Sequence, residues 1–197
     1  MTWIVFDYGE VLCARTEALP RLATRLGVPL ADFEPAYWGN RDIYDRGAAD
    51  ETYWKAVAAG AGADLDTVDL GAVEDLTRLD IEGWSRLDPA STALLDDLAR
   101  DGASLALLSN APASFARFAE RQPWARHFHT RVFSADVGCA KPDPDIFALL
   151  TDRLGAAPSD CVFFDDRRSN VAGARAAGLR AHLWQGAQAA RQRLAGG

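Results

Sequence analysis

The run Trp3-Ile4-Val5-Phe6, followed at once by Asp7-Tyr8-Gly9-Glu10-Val11-Leu12, constrains this chain more than any other stretch. Four consecutive apolar residues closed by a Gly-containing turn fit a strand buried on both faces, the strand type of parallel sheets. In open parallel sheets, ligands bind just beyond the carboxyl ends of the strands. Asp7 stands at that place.

Downstream, strands and helices alternate. Ser104 to Leu108, Arg131 to Ser134, Cys161 to Phe164 and Arg180 to Leu183 read as strands. Helices are expected from Pro89 to about Arg100, Pro112 to Arg121, Pro144 to about Leu154 and Ser169 to Ala177. Two of them open on Asp-Pro, a capping carboxylate followed by a proline in the first turn. Such alternation implies βαβ units and a parallel sheet covered on both faces. Residues 14–85 read differently, because no strand-like run interrupts them. Leu19, Leu22, Ala23 and Leu26 have helical spacing before Gly27, and further helical segments lie near Ala31 to Trp38, Asp50 to Ala59 and Gly71 to Leu79. The expected organisation is a core of residues 1–13 and 86–197 with a helical insert, 14–85, between its first strand and the rest. The tail from Arg191 is expected to fray.

The 197 residues carry 21 basic and 28 acidic side chains, a formal charge of -7. That balance disfavours nucleic acid and anionic membrane as general partners, since both need a basic face. Nineteen of the basic residues are arginine, so the lysines, Lys55 and Lys141, stand out. Cys13, Cys139 and Cys161 are odd in number and lack metal-type spacing, which fits a reducing cytoplasm. No run is long and apolar enough to span a bilayer, and no basic stretch precedes the first apolar run.

Each core strand hands over to polar residues: Asp7 after the first, Ser109-Asn110 after the second, Asp165-Asp166 after the fourth. Lys141 lies in the loop Gly138-Cys139-Ala140-Lys141-Pro142-Asp143 before a helix. Together these suit phosphoryl transfer through a carboxylate. Asp7 would attack phosphorus, splitting hydrolysis into two displacements. Two anions repel, and a divalent cation held by carboxylates relieves this; hard oxygen ligands favour Mg²⁺. Lys141 would neutralise the transferring group, while Ser109 and the backbone N–H groups after it donate to its other oxygens.

In order and context, Asp7-Tyr8-Gly9-Glu10-Val11-Leu12, Leu107-Leu108-Ser109-Asn110, Lys141-Pro142-Asp143 and Val162-Phe163-Phe164-Asp165-Asp166 with Asn170 resemble the four motifs of the haloacid dehalogenase superfamily. The likeness spans essentially the whole core. The insert resembles the cap of the family's first subgroup, and the first motif is similar to that of sugar-phosphate phosphatases of the alpha-glucose-1-phosphate phosphatase type. The resemblance implies an α/β, Rossmann-like core with an inserted α-helical cap. By it, Asp7 is the nucleophile, Ser109 and Lys141 are phosphate binders, Asp166 is a metal ligand, and Asp165 is its supporting partner or an alternative ligand. Gly9 falls where a backbone carbonyl meets Mg²⁺. The family's phosphatases usually carry a second aspartate there, as general acid and base, so its role would pass to water, to a good leaving group, or to a neighbour such as Glu10.

Substrate selection is expected from the insert, where Trp38, Arg41, Tyr44 and Arg46 offer stacking and bidentate hydrogen bonds to a sugar ring. His127 and His129 read as structural. The functional expectation is a Mg²⁺-dependent phosphatase of a small phosphomonoester, acting as a cytoplasmic monomer or homodimer. The alternatives are a 2-haloacid dehalogenase, in which the aspartate attacks carbon without metal, and a phosphate-binding protein impaired by Gly9.

Overall fold

A strand as apolar as the first must be covered on both faces and paired on both edges, and it is. The computed structural model describes residues 1–64 and 69–195. Strands β1 (Trp3–Phe6), β2 (Ser104–Ser109), β3 (Thr130–Phe133), β4 (Cys161–Asp165) and β5 (Arg180–Leu183) form one sheet in the order β3-β2-β1-β4-β5. Every pairing is parallel. Side chains alternate across it with the period of two that a pleated strand imposes. Ile4, Phe6, Leu105, Leu107, Val162 and Phe164 belong to one buried cluster, and Val5, Ala106, Leu108, Cys161 and Phe163 to another.

Between residues 14 and 85 the described elements are all helical: α1 (Leu19–Leu26), α2 (Leu30–Gly39), α3 (Arg41–Asp45), α4 (Asp50–Gly60) and α5 (Leu70–Trp84). They enclose an apolar cluster of their own, built on Leu22, Phe33, Tyr37, Tyr53, Trp54, Val57 and Leu76. The chain leaves and re-enters the sheet through paired backbone: Ala14 N donates to Arg86 O and Asp88 N to Leu12 O, both at 2.9 Å. Then come α6 (Pro89–Arg100), α7 (Ala113–Ala119), α8 (Ser134–Val137), α9 (Pro144–Leu154), α10 (Arg168–Ala176) and α11 (Ala187–Ala195). Leu94 and Leu95 of α6 and Ala187 and Ala190 of α11 cover one face of the sheet. Ile146, Phe147 and Leu150 of α9 with Val171 and Ala174 of α10 cover the other.

Three local expectations are corrected. The third strand ends at Phe133, because Ser134 opens α8 with its hydroxyl bonded to backbone. The tail is helical to Ala195, held by buried Ala187 and Ala190. Of the two Asp-Pro starts, Asp88 caps α6 by accepting from Ser91 N at 2.8 Å, whereas Asp143 accepts from Arg46 Nη1 at 2.7 Å and ties the loop before α9 to the helical insert. Among the described residues no helix is long and apolar enough to cross a membrane.

One glycine sets how closely α10 approaches the Lys141 loop. A Cβ at Gly173 would lie 2.5 Å from the carbonyl oxygen of Pro142, too close for any real contact. Gly173→Ala is expected to destabilise the protein by about 1–3 kcal/mol through overpacking; an unchanged melting temperature would contradict this approach.

Candidate active site

The register brings the functional groups to one level. Phe6 pairs with Leu107 of β2 and Phe164 of β4, so Asp7, one residue on, faces the next residues of both neighbours, Leu108 and Asp165. Asp7 N still donates to Phe164 O at 2.9 Å, which fixes its backbone at the strand tip. Into the space between these strand ends the following loop delivers Lys141, buried to 3% exposure. Its ammonium lies 2.7 Å from Asp7 Oδ1 and 2.7 Å from Asp165 Oδ2, and donates to Leu108 O at 2.8 Å. All three N–H groups are thereby used.

Two asparagines hold this arrangement. Asn110, for which a substrate contact is expected from the sequence, lines the pocket and also accepts from Lys141 N at 2.9 Å and donates to Lys141 O at 2.8 Å, so its amide grips the lysine backbone. Asn170, in the first turn of α10, donates to both oxygens of Asp165 at 3.0 and 3.1 Å, and Arg167 N donates to Oδ1 at 2.8 Å. Asp165 is thus fully buried and fully bonded. Its place is that of a support for Lys141. Asp166, half-buried, has no such bonds and lines the pocket.

The carboxylates of Asp7, Asp165 and Asp166 each place an oxygen within 4.8 Å of the others. Three carboxylic acids thus crowd around one buried ammonium, with Arg167 next in sequence to Asp166. Burial, with Asp165 and Asp166 adding repulsion against the pull of Lys141, pushes the Asp7 carboxyl up from 3.8 to about 7. Burial and Asp165 raise Asp166 as well. Lys141, despite burial, is held above its ordinary value by Asp7 and Asp165. An acidic cluster with all-oxygen donors matches a hard divalent cation such as Mg²⁺. Asp7 and Asp166 are the available side-chain donors, and Gly9, two residues after Asp7, lines the same pocket.

Asp7, Gly9, Ser109, Lys141 and Asp166 line one pocket, closed from the helical side by Trp38, Arg41 and Trp84. Its cavity volume is about 60 Å³, enough to hold water. Ser109 is buried at its floor. Of the backbone N–H groups after it, that of Ala111 is already taken, donating to Ser134 Oγ at 2.9 Å.

The insert residues divide. Trp38 and Trp84 meet edge to face, ring centroids 6.3 Å apart. Arg41 reaches the pocket with its charge committed: Nε donates to Asp45 Oδ1 at 2.9 Å, and Nη1 to Tyr37 Oη at 2.8 Å and Asp80 Oδ2 at 3.1 Å. Tyr44 does not line the pocket; its ring stacks on Tyr53 and its hydroxyl donates to Asp50 Oδ1 at 2.6 Å. Arg46 holds Asp42 and Asp143. His127 pairs with Asp96 at 2.9 Å, and His129 packs edge-on against Trp3, both away from the pocket. Asp45, Trp84 and Arg167 line the pocket unanticipated by the sequence reading. Arg167, directly after the acidic pair, could have been found from its position; the other two could not.

A family model described as haloacid dehalogenase-like hydrolase matches residues 1–178. The chain belongs to that family. As a haloacid dehalogenase-like hydrolase it is similar to a phosphatase of Mycobacterium tuberculosis (strain CDC 1551 / Oshkosh), 30% identical over 190 residues, 91% of this chain and 85% of the relative. Its fold is shared with a HAD family enzyme of Bacteroides thetaiotaomicron solved with magnesium and inorganic phosphate, 16% identical over 93% of each chain with a TM-score of 0.70. It is shared also with a 2-haloacid dehalogenase of Pseudomonas syringae pv. Tomato, 22% identical, covering 93% of this chain and 86% of that one with a TM-score of 0.66.

Proposed function

We propose that this hydrolase is a Mg²⁺-dependent phosphatase of small phosphomonoesters, working through an aspartyl phosphate on Asp7. The observation that carries the reading is the acid-rich cluster of Asp7, Asp165 and Asp166 around Lys141, with carboxylate oxygens within 4.8 Å of one another. A haloacid substrate is itself a carboxylate and would be repelled by that cluster. A phosphate ester accompanied by a divalent cation brings the charge that balances it. The phosphatase relative supports the same choice.

Asp7 Oδ1 is held by Lys141, which keeps the side chain in one rotamer at the strand tip and leaves the second oxygen to act. Lys141 stays ammonium and places positive charge where the transferring phosphoryl group arrives. Ser109 donates its hydroxyl from the pocket floor, and Asp165 with Asn170 holds the lysine against recoil. Asp7, Asp166 and the Gly9 carbonyl would hold Mg²⁺, which when bound screens nucleophile from phosphate and polarises a phosphoryl oxygen. Trp38 and Trp84 offer apolar faces to the organic part of the ester. Among the described residues the helical-side cation that lines the pocket is Arg41, and its guanidinium is already bonded to Asp45, Tyr37 and Asp80. A neutral, polyol-like organic part, as in a sugar phosphate, suits these walls best. The small pocket admits only a small ester unless the helices move apart.

Hydrolysis of an aryl phosphate with Mg²⁺, and none with chelator, is the expected outcome, while chloride release from 2-chloropropionate without metal would establish the dehalogenase instead. Silence in both assays would leave a phosphate-binding protein. Since Mg²⁺ must displace the Asp7 proton, its affinity should rise with pH and level off above about pH 7, where Asp7 is ionised. The rise in melting temperature with added Mg²⁺ at pH 8 and at pH 6 reads this directly; an equal rise at both would contradict it.

A further inference from the structure

The position that usually carries a carboxylate beside the nucleophile is here Gly9, so the proton for the leaving oxygen must come from elsewhere. Glu10 is the neighbour in sequence, but it is exposed at the pocket rim, its backbone in the left-handed region at φ 55°. Water screens a group so placed. The helical insert supplies a different acid. Asp45, at the end of α3, is 9% exposed and lines the same pocket as Asp7, Gly9, Ser109 and Lys141.

Asp45 is pinned from both sides. Its carbonyl accepts from the Ser134 hydroxyl, and the Ser134 hydroxyl oxygen in turn accepts from Ala111 N at 2.9 Å, two residues beyond Ser109. The backbone of Asp45 is therefore one side chain away from the loop that follows Ser109. Just after it, a Cβ on Gly47, where φ is 107°, would lie 3.0 Å from Ala135 O, so the turn after α3 sits directly on α8. The carboxylate is oriented as well. Oδ1 accepts from Arg41 Nε at 2.9 Å, and among the described residues Oδ2 has no protein partner. No other carboxylate of the helical insert lines the pocket among the described residues.

We propose that Asp45 is the acid and base of the reaction, supplied by the helical insert in place of a side chain at Gly9. The inference rests on the phosphatase reading above. In the first displacement a carboxylate oxygen of Asp7 bonds to phosphorus, the bond from phosphorus to the leaving oxygen breaks, and protonated Asp45 gives that oxygen its proton. In the second, Asp45 as carboxylate takes a proton from water, the water oxygen bonds to phosphorus, and the bond from phosphorus to Asp7 breaks. Phosphate leaves, Asp7 is again a carboxylate, and Asp45 again carries a proton. Burial raises the Asp45 carboxyl against the pull of Arg41, with Asp80 raising it further and Arg167 lowering it. Asp80, Arg167, Tyr37 and Tyr53 are the titratable and charged groups that the insert and core bring against the Arg41 and Asp45 pair.

The test is leaving-group dependence. Asp45→Asn should lower kcat/KM for an alkyl phosphate by about 10²–10⁴-fold, the range of a lost general acid, and for p-nitrophenyl phosphate by less than about tenfold, because nitrophenolate leaves unprotonated. The alkaline limb of the alkyl-phosphate pH profile should vanish with it. Gly9→Asp in the Asp45→Asn background should restore alkyl-phosphate turnover; at Gly9 an added Cβ meets only Trp84, at the ordinary contact distance of 3.7 Å. Asp80→Asn, which also releases Arg41, should affect both esters alike. Equal losses on both esters from Asp45→Asn would reduce Asp45 to an anchor for Arg41 and overturn the proposal. So would the alkyl-selective loss appearing in Glu10→Gln instead, or a wild-type enzyme that turns over aryl but no alkyl phosphates. Absence of aryl-phosphate turnover in the wild type would instead sink the phosphatase reading beneath it.

Discussion

Asp7→Asn is expected to abolish turnover, by at least about 10⁴-fold, with Mg²⁺ saturating and for every ester tried. The amide oxygen is a poor nucleophile, and the change also removes one donor from the cation site. Yet the variant should fold better than the wild type when metal is absent. A carboxyl whose native pKa lies above its unfolded one favours the native state below both values. That advantage is lost as pH rises from 3.8 to about 7. At pH 8 the ionised Asp7 is therefore a buried liability that asparagine lacks, while Lys141 keeps Asp165 and Leu108 O as partners. Melting curves in chelator at pH 8 should place Asp7→Asn above wild type, and the order should reverse or narrow with Mg²⁺. A variant that is inactive but melts lower in chelator would mean that the Lys141 pairing outweighs burial.

Lys141→Met should do the opposite to stability. It removes the one ammonium between two buried carboxylates and leaves the Leu108 carbonyl unpaired, a loss on the order of 3–5 kcal/mol. Activity should fall with it, by at least about 10³-fold, because no other buried cation among the described residues stands beside Asp7. Lys141→Arg should not rescue: a planar fork is wider than the ammonium and cannot take the place of a point charge bonded to Leu108 O, Asp7 and Asp165 at 2.7–2.8 Å. Chemical denaturation and aryl-phosphate kinetics on the two variants check this together. Near-normal stability in Lys141→Met would show that Asp7 and Asp165 are neutral in the native state.

The sheet was legible because its central strands are almost wholly apolar and end on turn residues. Phe6 before Asp7 and Leu108 before Ser109 already declare where the apolar run gives way to polar residues. The strand-end cluster followed from topology alone, since parallel neighbours in register must present their last residues together. Orientation within the cluster was not legible. Nothing in the spacing says that Asn110 turns to the Lys141 backbone, or that Asp165 is consumed by Asn170 and Lys141 while Asp166 stays open.

The helical insert was harder for the same reason. Arg41–Asp45 is a five-residue helix with no apolar period, and α5 runs on to Trp84 through Asp80, an acid that only its bonds to Tyr37 and Arg41 make tolerable inside. Tyr44 sits in the right segment for substrate but faces Asp50 and Ser114, and Asp45 next to it lines the pocket. One residue of register along a short helix decides which side chain meets the chemistry. The alanine-rich last helix gave too little hydrophobic contrast to be seen.

A crystal of the wild-type protein grown with Mg²⁺ and beryllium fluoride tests the central claim most directly, because trifluoroberyllate mimics a phosphoryl group on a carboxylate. The expected result is the fluoride adduct bonded to an oxygen of Asp7, one fluorine within reach of the Lys141 ammonium, and a cation shared by Asp7 and Asp166. Under conditions where the enzyme hydrolyses aryl phosphate, an Asp7 left bare with the adduct or the cation seated elsewhere would contradict it.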